Sequence, residues 1–291
     1  MKAKNIYAIF LVIVVCAALA YYFFKIYKPI KREEKAQEHI QVEVPQSEGG
    51  LVDESLIETK HIQKEDTYTT LNVKYPQFRN IPTLENDRIR NTYERIIKDH
   101  TALSEENFKA RIETGGPSTP ITTEDKYPLF ADYTVIQANE DFVSVLFTYS
   151  GYQGGAHGYE NVFSLNYDVK NKKMVYLRDI FKGQVDQIGF ISAESRKKLL
   201  EKLLPKVTYK ESFDKLVFKN DEDANLAQMI YDGTEPETDN FKVYTFTPTE
   251  VIFYFGEYQV VPYAYGRQQV TISHRPAFYG PVEEPVEEKV Q

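Results

Sequence analysis

Phe142-Val-Ser-Val-Leu-Phe-Thr-Tyr-Ser-Gly-Tyr-Gln-Gly-Gly-Ala-His-Gly-Tyr159 decides the fold. Its first eight residues place Val143, Val145, Phe147 and Tyr149 on one face and Ser144 and Thr148 on the other, the period-two alternation of a strand. Four glycines follow within Tyr149–Tyr159, and an apolar run from Val162 to Asp168 then reads as another strand. The segment therefore links one strand to the next through a glycine-rich connection.

Outward from this centre, Leu129 to Gln137 reads as the preceding strand, joined through an Asn139–Asp141 turn. Met174 to Leu177 pairs back after a turn at Asn171–Lys173. Further upstream, Thr70 to Tyr75 alternates, with Leu71, Val73 and Tyr75 on one face, and Pro76 and Pro82 bound a turn. Thr83 is expected to cap a helix. Leu84, Ile89, Tyr93, Ile96 and Ile97 form its buried stripe, and it continues, with a break near Thr101, through Leu103 and Phe108 to Ile112. Thr114 to Pro120 ends it. Downstream come a connector over 178–183, a helix from Asp186 to Leu204 stopped by Pro205, and a short helix over Ala224–Tyr231. Strands are expected over Phe241–Thr247, Val251–Phe255, Gln259–Val261 and Gln268–Ile272. Helices and strands do not alternate strictly, so the fold class is α+β, a mainly antiparallel sheet with packed helices, in two subdomains divided within 115–129.

A chain of 291 residues that is 42% hydrophobic has enough apolar material for one or two cored domains. The net charge of −8 argues against nucleic acid as a partner, because phosphate binding needs clustered Lys and Arg. Cys16 is the single cysteine, so the folded region has no intramolecular disulfide and no cysteine-based zinc site.

Ile6 to Phe24 carries no charge. As a helix it would be about 28 Å long, close to the hydrocarbon thickness of a bilayer. Tyr21, Tyr22, Phe23 and Phe24 followed by Lys25 and Lys28 resemble an interfacial belt. Residues 6–24 are therefore read as a transmembrane helix or signal anchor, preceded by a cytosolic tail over 1–5. A cleaved signal peptide is the rival, since Lys2 and Lys4 precede the run and Ala18-Leu-Ala20 suits a cleavage site. Lys25, Lys28, Lys31, Arg32 and Lys35 outnumber Lys2 and Lys4, which taken alone would place the rest of the chain in the cytosol. The reading adopted is the opposite, a folded region outside a single-pass membrane anchor. Residues 25–55 read as a tether and 276–291 as a disordered acidic tail.

His157 is the histidine set among the glycines. His39, His61, His100 and His274 give no H-x-x-x-H or H-E-x-x-H spacing with it. It either contacts a ligand or partner, or simply bonds nearby main chain where glycines allow positive φ. Asp168 and Asp179 sit where side chains cap turns, which is preferred over an acid–base pair. No catalytic residue, metal ligand or cofactor is assigned. Tyr149, Tyr152 and Tyr159 surround the glycine segment, and Tyr254, Tyr258, Tyr263 and Tyr265 crowd the last strands. Exposed tyrosines suit sugar stacking or a protein interface, and buried ones would be core.

Several segments together resemble one family, the extracytoplasmic region of RsiV-type anti-sigma factors and the accessory domain of PdaC-type peptidoglycan deacetylases. The first part is similar through Lys74-Tyr-Pro-Gln77 and Asn86-Asp-Arg-Ile-Arg-Asn91. The second is similar through Gly154-Gly-Ala-His157, Phe163-Ser-Leu-Asn-Tyr-Asp168, Leu177-Arg-Asp-Ile-Phe181, Phe253-Tyr-Phe255, Glu257-Tyr258 and Val261-Pro-Tyr-Ala-Tyr-Gly266. The resemblance divides the folded region into a PdaC-like subdomain over 56–120 and an RsiV-like one over 121–275. It implies a cell-envelope domain outside the membrane, which in RsiV-type proteins binds lysozyme. Two departures stand against a full transfer. Only Met1 to Asn5 precede the apolar run, where a sigma-binding segment would lie, and no separate deacetylase domain follows. The expected function is a non-catalytic binding or sensing domain that recognises a lysozyme-like protein or cell-wall glycan. Its expected site comprises Tyr152, Gln153, Gly154, Gly155, His157, Tyr159, Tyr258 and Tyr263. The alternatives are an envelope polysaccharide hydrolase or deacetylase-type enzyme, and a purely structural envelope protein.

Overall fold

The computed structural model describes residues 51–115 and 122–279. The expected membrane helix, most of the tether and most of the expected disordered tail lie outside these residues; Ala277–Tyr279, at the start of that tail, instead form a 3-10 turn whose Phe278 and Tyr279 pack on the core. Among the described residues no helix is long and apolar enough to cross a membrane. The end of the expected tether proves to be structured. Val52 bridges Ala138, and Glu54–Leu56 form a 3-10 turn capped by Asp53.

Two sheets carry the fold. The larger has the order β1-β2-β3-β4-β5-β6: β1 (Ile57–Glu65), β2 (Thr69–Phe78), β3 (Tyr127–Ala138), β4 (Phe142–Gly151), β5 (Tyr159–Asp168) and β6 (Lys173–Met174). All neighbours are antiparallel except β2 and β3, which run parallel. That crossover is made by α1 (Thr83–Glu113), a single helix lying across the sheet. β2 and β3 flank the boundary expected within 115–129 and are nevertheless hydrogen-bonded neighbours. That boundary therefore falls inside one sheet, because a parallel pair forces the chain to travel the length of a helix before returning.

One face of the sheet buries Leu71, Val73, Leu129, Val143, Val145 and Phe147 against Ile89 and Tyr93 of α1. The helix corrects the expected stripe in three ways. Its first residue is Thr83 and its N-cap is Pro82, without a side-chain cap. It passes Thr101 unbroken. Leu84, Leu103 and Ile112 are exposed, while His100, Ser104 and Phe108 are buried. β2 also runs through Pro76 to Phe78 rather than turning there. Its pairing with β3 ends at Val73, so the proline sits where only β1 flanks the strand, a position that tolerates a missing N–H.

The smaller sheet is β7 (Tyr244–Phe246), β8 (Glu250–Phe255) and β9 (Gln268–Ser273), all antiparallel. It shares a core with the one-turn α2 (Leu177–Ile180), α3 (Gln187–Leu203) and α4 (Asp221–Gly233). α2 takes up the first half of the expected connector. Gln259–Val261 is not a strand. Val260 and Val261 are fully buried in a loop, and a short apolar run of that kind reads as a strand in sequence.

The two layers are joined by a polar seam. The Ser144 hydroxyl donates to Asn166 Oδ1 (2.7 Å) and accepts the Phe246 N–H (3.0 Å). Asn166 Nδ2 donates to the Tyr244 carbonyl (2.7 Å), and Gln137 Nε2 donates to the Phe246 carbonyl (2.6 Å). The Tyr244 N–H donates to Ser164 Oγ (3.2 Å). Side chains of β3, β4 and β5 thus satisfy the free backbone edge of β7, which burial would otherwise leave costly.

Candidate functional site

The β4–β5 connection, residues 152–158, has two halves. Its inner half is bound to α1 and β3. Asn107 Nδ2 donates to the Gln153 carbonyl (2.7 Å), and Gln153 Nε2 reaches the His100 carbonyl (3.3 Å). The Tyr152 ring packs edge-on against Tyr127, and its hydroxyl donates to the Gly155 carbonyl (2.9 Å). Gly154 and Gly155 take φ of +94° and +98°, the left-handed backbone open to glycine. At the root, a Cβ on Gly158 would stand 2.8 Å from the Gly151 carbonyl oxygen, so the two ends meet too closely for a side chain.

Below this half lies His100, fully buried. Its Nε2–H donates to the Tyr127 carbonyl (3.3 Å), which leaves Nδ1 to accept from the Tyr159 hydroxyl (2.8 Å). Burial lowers the His100 pKa, opposed by its bond to Tyr127 and by Asp66, and burial raises the Tyr159 hydroxyl. Four of the expected site residues, Tyr152, Gln153, Gly154 and Tyr159, are thereby occupied with holding the loop.

The outer half is different. His157 Nδ1–H donates to the Gly158 carbonyl (2.7 Å), meeting the main-chain expectation for this residue. Its Nε2 accepts from the Tyr258 hydroxyl (3.0 Å), 101 residues away in sequence. The imidazole stacks on Tyr263 with ring centres 4.1 Å apart, and Tyr258 lies 5.9 Å from Tyr263. His157 and Tyr258 are exposed, Tyr258 at 53%. Three expected site residues from two distant segments therefore form one aromatic cluster at the surface.

Tyr258 has φ of +62°, uncommon for a bulky side chain. It is the third residue of a Gly256–Gln259 turn closed by Gln259 N–H to the Gly256 carbonyl (3.2 Å), a place that favours Gly or Asn. Gln259 fixes the turn. Its Nε2 donates to the carbonyls of Asn240 (2.9 Å) and Gly233 (3.1 Å), while its Oε1 accepts the Gly256 N–H (3.1 Å). The turn comes so near α4 that a Cβ on Gly233 would lie 1.9 Å from the Gln259 carbonyl oxygen.

Beside the cluster stand two carboxylates that sequence reasoning did not select, Glu160 and Glu257. Glu160 pairs with Arg267 (3.1 Å), whose side chain is 6% exposed. The two atoms are in contact without the alignment of a hydrogen bond. Burial pushes the Glu257 pKa up and the Glu160 charge adds to this, while the Glu160 main chain and His157 oppose it. The signal for Glu257 lay in its place before Tyr258. Glu160 had none beyond following the glycine segment.

Asp168 accepts from the main chain and side chain of Asn171, and Asp179 accepts the Tyr176 N–H, so both serve local caps. Tyr254 is buried with its hydroxyl on Thr245, while Tyr265 is exposed. Among the described residues no group of three or more His, Cys, Asp or Glu side chains is placed to hold a metal ion.

Two family models match. One described as "Deacetylase PdaC" covers residues 62–160, and one described as "Protein of unknown function (DUF3298)" covers 178–275. The chain is 24% identical over 193 residues to the peptidoglycan-N-acetylmuramic acid deacetylase PdaC of Bacillus subtilis. The match takes in 66% of this chain and only 36% of that protein. Among solved structures, a DUF3298 family member from Bacteroides fragilis aligns with 19% identity and a TM-score of 0.46, covering 75% of this chain and 90% of that one. Another from Pseudomonas aeruginosa gives 17% and 0.44, covering 77% and 93%.

Proposed function

From a chain that joins a PdaC-type segment to a DUF3298 segment, we propose an envelope-related protein whose role is to bind cell-wall glycan. In this reading residues 6–24 anchor it in the membrane and the folded region works on the outer side. The observation that carries the reading is the surface cluster of His157, Tyr258 and Tyr263, with Tyr258 held in left-handed backbone. Backbone strain at an exposed aromatic persists only where the surroundings over-determine it, and such places concentrate at ligand sites. Rigid aromatic rings stack on the apolar face of a pyranose, and adjoining carboxylates accept from sugar hydroxyls.

Binding is preferred to catalysis because Asp168 and Asp179, the acids first considered, are held in turn caps. The test is co-sedimentation of the full chain with peptidoglycan sacculi. Saturable binding that weakens about tenfold in Tyr258→Ala and Tyr263→Ala is expected, a loss of about 1.4 kcal/mol. No binding at any concentration would sink the reading. Release of acetate from the sacculi would replace it with the deacetylase alternative.

A second reading, recognition of a lysozyme-like protein, draws on Tyr258 and Tyr265 as exposed tyrosines on adjoining turns. Binding to lysozyme with none to sacculi would favour it.

A further inference from the structure

Beyond the glycan reading, we propose that β1 is a self-pairing edge, through which two copies of this chain join their larger sheets about a two-fold axis at His61. β1 is the outer strand of the six-stranded sheet, and among the described residues only β2 pairs with it. It runs nine residues in unbroken register with β2, and none of the nine is buried. No proline interrupts it, so its outward N–H and C=O groups form a row about 30 Å long. Such a row is a template for a further strand, and proteins commonly blunt it with charged side chains.

The charges of β1 are ordered so that the strand answers its own reverse. When two copies run antiparallel with every residue paired, His61 meets its counterpart. Glu58 of each copy then faces Lys64 of the other, an opposite-sign pair made twice. The remaining facing pairs are Ile57 with Glu65, Thr59 with Gln63 and Lys60 with Ile62, and none sets like charges together. Other registers lose this match. A slip of one residue sets Glu58 against Glu65 twice, and a second residue the same way sets Lys60 against Lys64 twice. A slip of one the other way leaves no opposite-sign pair, and of two sets Lys60 against itself. The full-length register is therefore also the one that the charges select. Among the described residues Lys64 makes no ion pair within its own chain, so its charge is open to the second copy. Glu65, which would face Ile57, is already answered by Lys126 (2.7 Å). The contact uses the same patch on both copies, as a closed two-fold dimer requires. It supplies about eight to ten main-chain hydrogen bonds.

Disulfide trapping in the full chain tests the pairing. The chain carries Cys16→Ser, is reconstituted in phosphatidylcholine vesicles, and is oxidised with copper phenanthroline. A single cysteine is then placed by Thr59→Cys, His61→Cys or Gln63→Cys, all at exposed positions. On the axis, facing Cα atoms lie about 4.5–5.5 Å apart, within disulfide reach. Like cysteines at 59 or 63 would stand about 13 Å apart along the strands, beyond it. His61→Cys should therefore give about tenfold more covalent dimer than either other position. In the His61→Cys chain, Lys64→Glu should cut the dimer about tenfold, since both charged contacts become repulsive. Adding Glu58→Lys should restore it to within about twofold, because the exchanged pair is again of opposite sign. Equal yields at the three positions, no dimer from His61→Cys, or a double exchange as weak as Lys64→Glu alone would each overturn the pairing. None of these results would touch the glycan reading.

Discussion

The inner half of the 152–158 connection and its outer tip differ in what their side chains have left to offer. Inside, Tyr152, Gln153 and Tyr159 end on Gly155, His100 and the α1 side, and their polar atoms are spent within the fold. Outside, His157 meets Tyr258 and Tyr263 at the surface, where His157 and Tyr258 are exposed. One short segment thus combines a mount with an exposed tip. A tyrosine in it says little until it is known which side it is on.

The comparison predicts that damage to the mount lowers stability and damage to the tip lowers binding. The largest effect should come from His100→Ala, which strands the half-buried Tyr159 hydroxyl and the Tyr127 carbonyl. A loss of about 2–3 kcal/mol is expected in chemical denaturation, at one to a few kcal/mol per buried unpaired group. Sacculus binding well below the transition should survive. Gly154→Ala comes next. A Cβ at φ +94° costs about 1–2 kcal/mol, and the loop should loosen without losing its tip. Tyr263→Ala should do the reverse, with the tenfold binding loss given above and a denaturation midpoint unchanged within about 0.5 kcal/mol. If Tyr263→Ala unfolds the protein, the tip is part of the core and the contrast between the halves collapses.

The smallest effect is one of pH. Because the folded His100 pKa is lowered, the unfolded chain takes up the proton first. Its contribution to stability is complete above the ordinary histidine value of about 6.5 and is lost as pH falls from there toward the lower folded value. Denaturation midpoints measured across that window should decline in the unaltered protein. They should decline less in His100→Gln, where an amide replaces the titrating ring. An identical slope in both would assign the decline to other groups.

Much of the larger sheet was legible because β4 alternates cleanly and its neighbours are joined by recognisable turns. Asn139 accepts from the N–H groups of Asp141 and Phe142, and Asp168 caps the turn to β6. β1 was not legible. Its nine residues, Ile-Glu-Thr-Lys-His-Ile-Gln-Lys-Glu, form a mostly exposed edge strand with little apolar content to declare it. The parallel pairing of β2 with β3 was hidden for a different reason, since it depends on where α1 delivers the chain. At the site, His157, Tyr258 and Tyr263 were singled out from separate segments and prove to be neighbours. Tyr152, Gln153, Gly154 and Tyr159 were grouped with them by proximity in sequence, yet the loop turns them toward α1. Glu160 and Glu257 were missed because a lone glutamate carries no pattern. They come from β5 and the turn after β8, elements that meet only once both sheets are assembled.

The seam along β7 has a consequence for inheritance. Gln137 and Ser144 belong to the segment matched by the PdaC model, Tyr244 to Phe246 belong to the DUF3298 segment, and Ser164 and Asn166 fall between the two matches. Each half carries hydrogen-bonding groups that only the other half answers. A gene break or a proteolytic cut within residues 161–177 would therefore yield two pieces with wet, unanswered edges rather than two working modules. The seam binds the two matched segments into one compact unit.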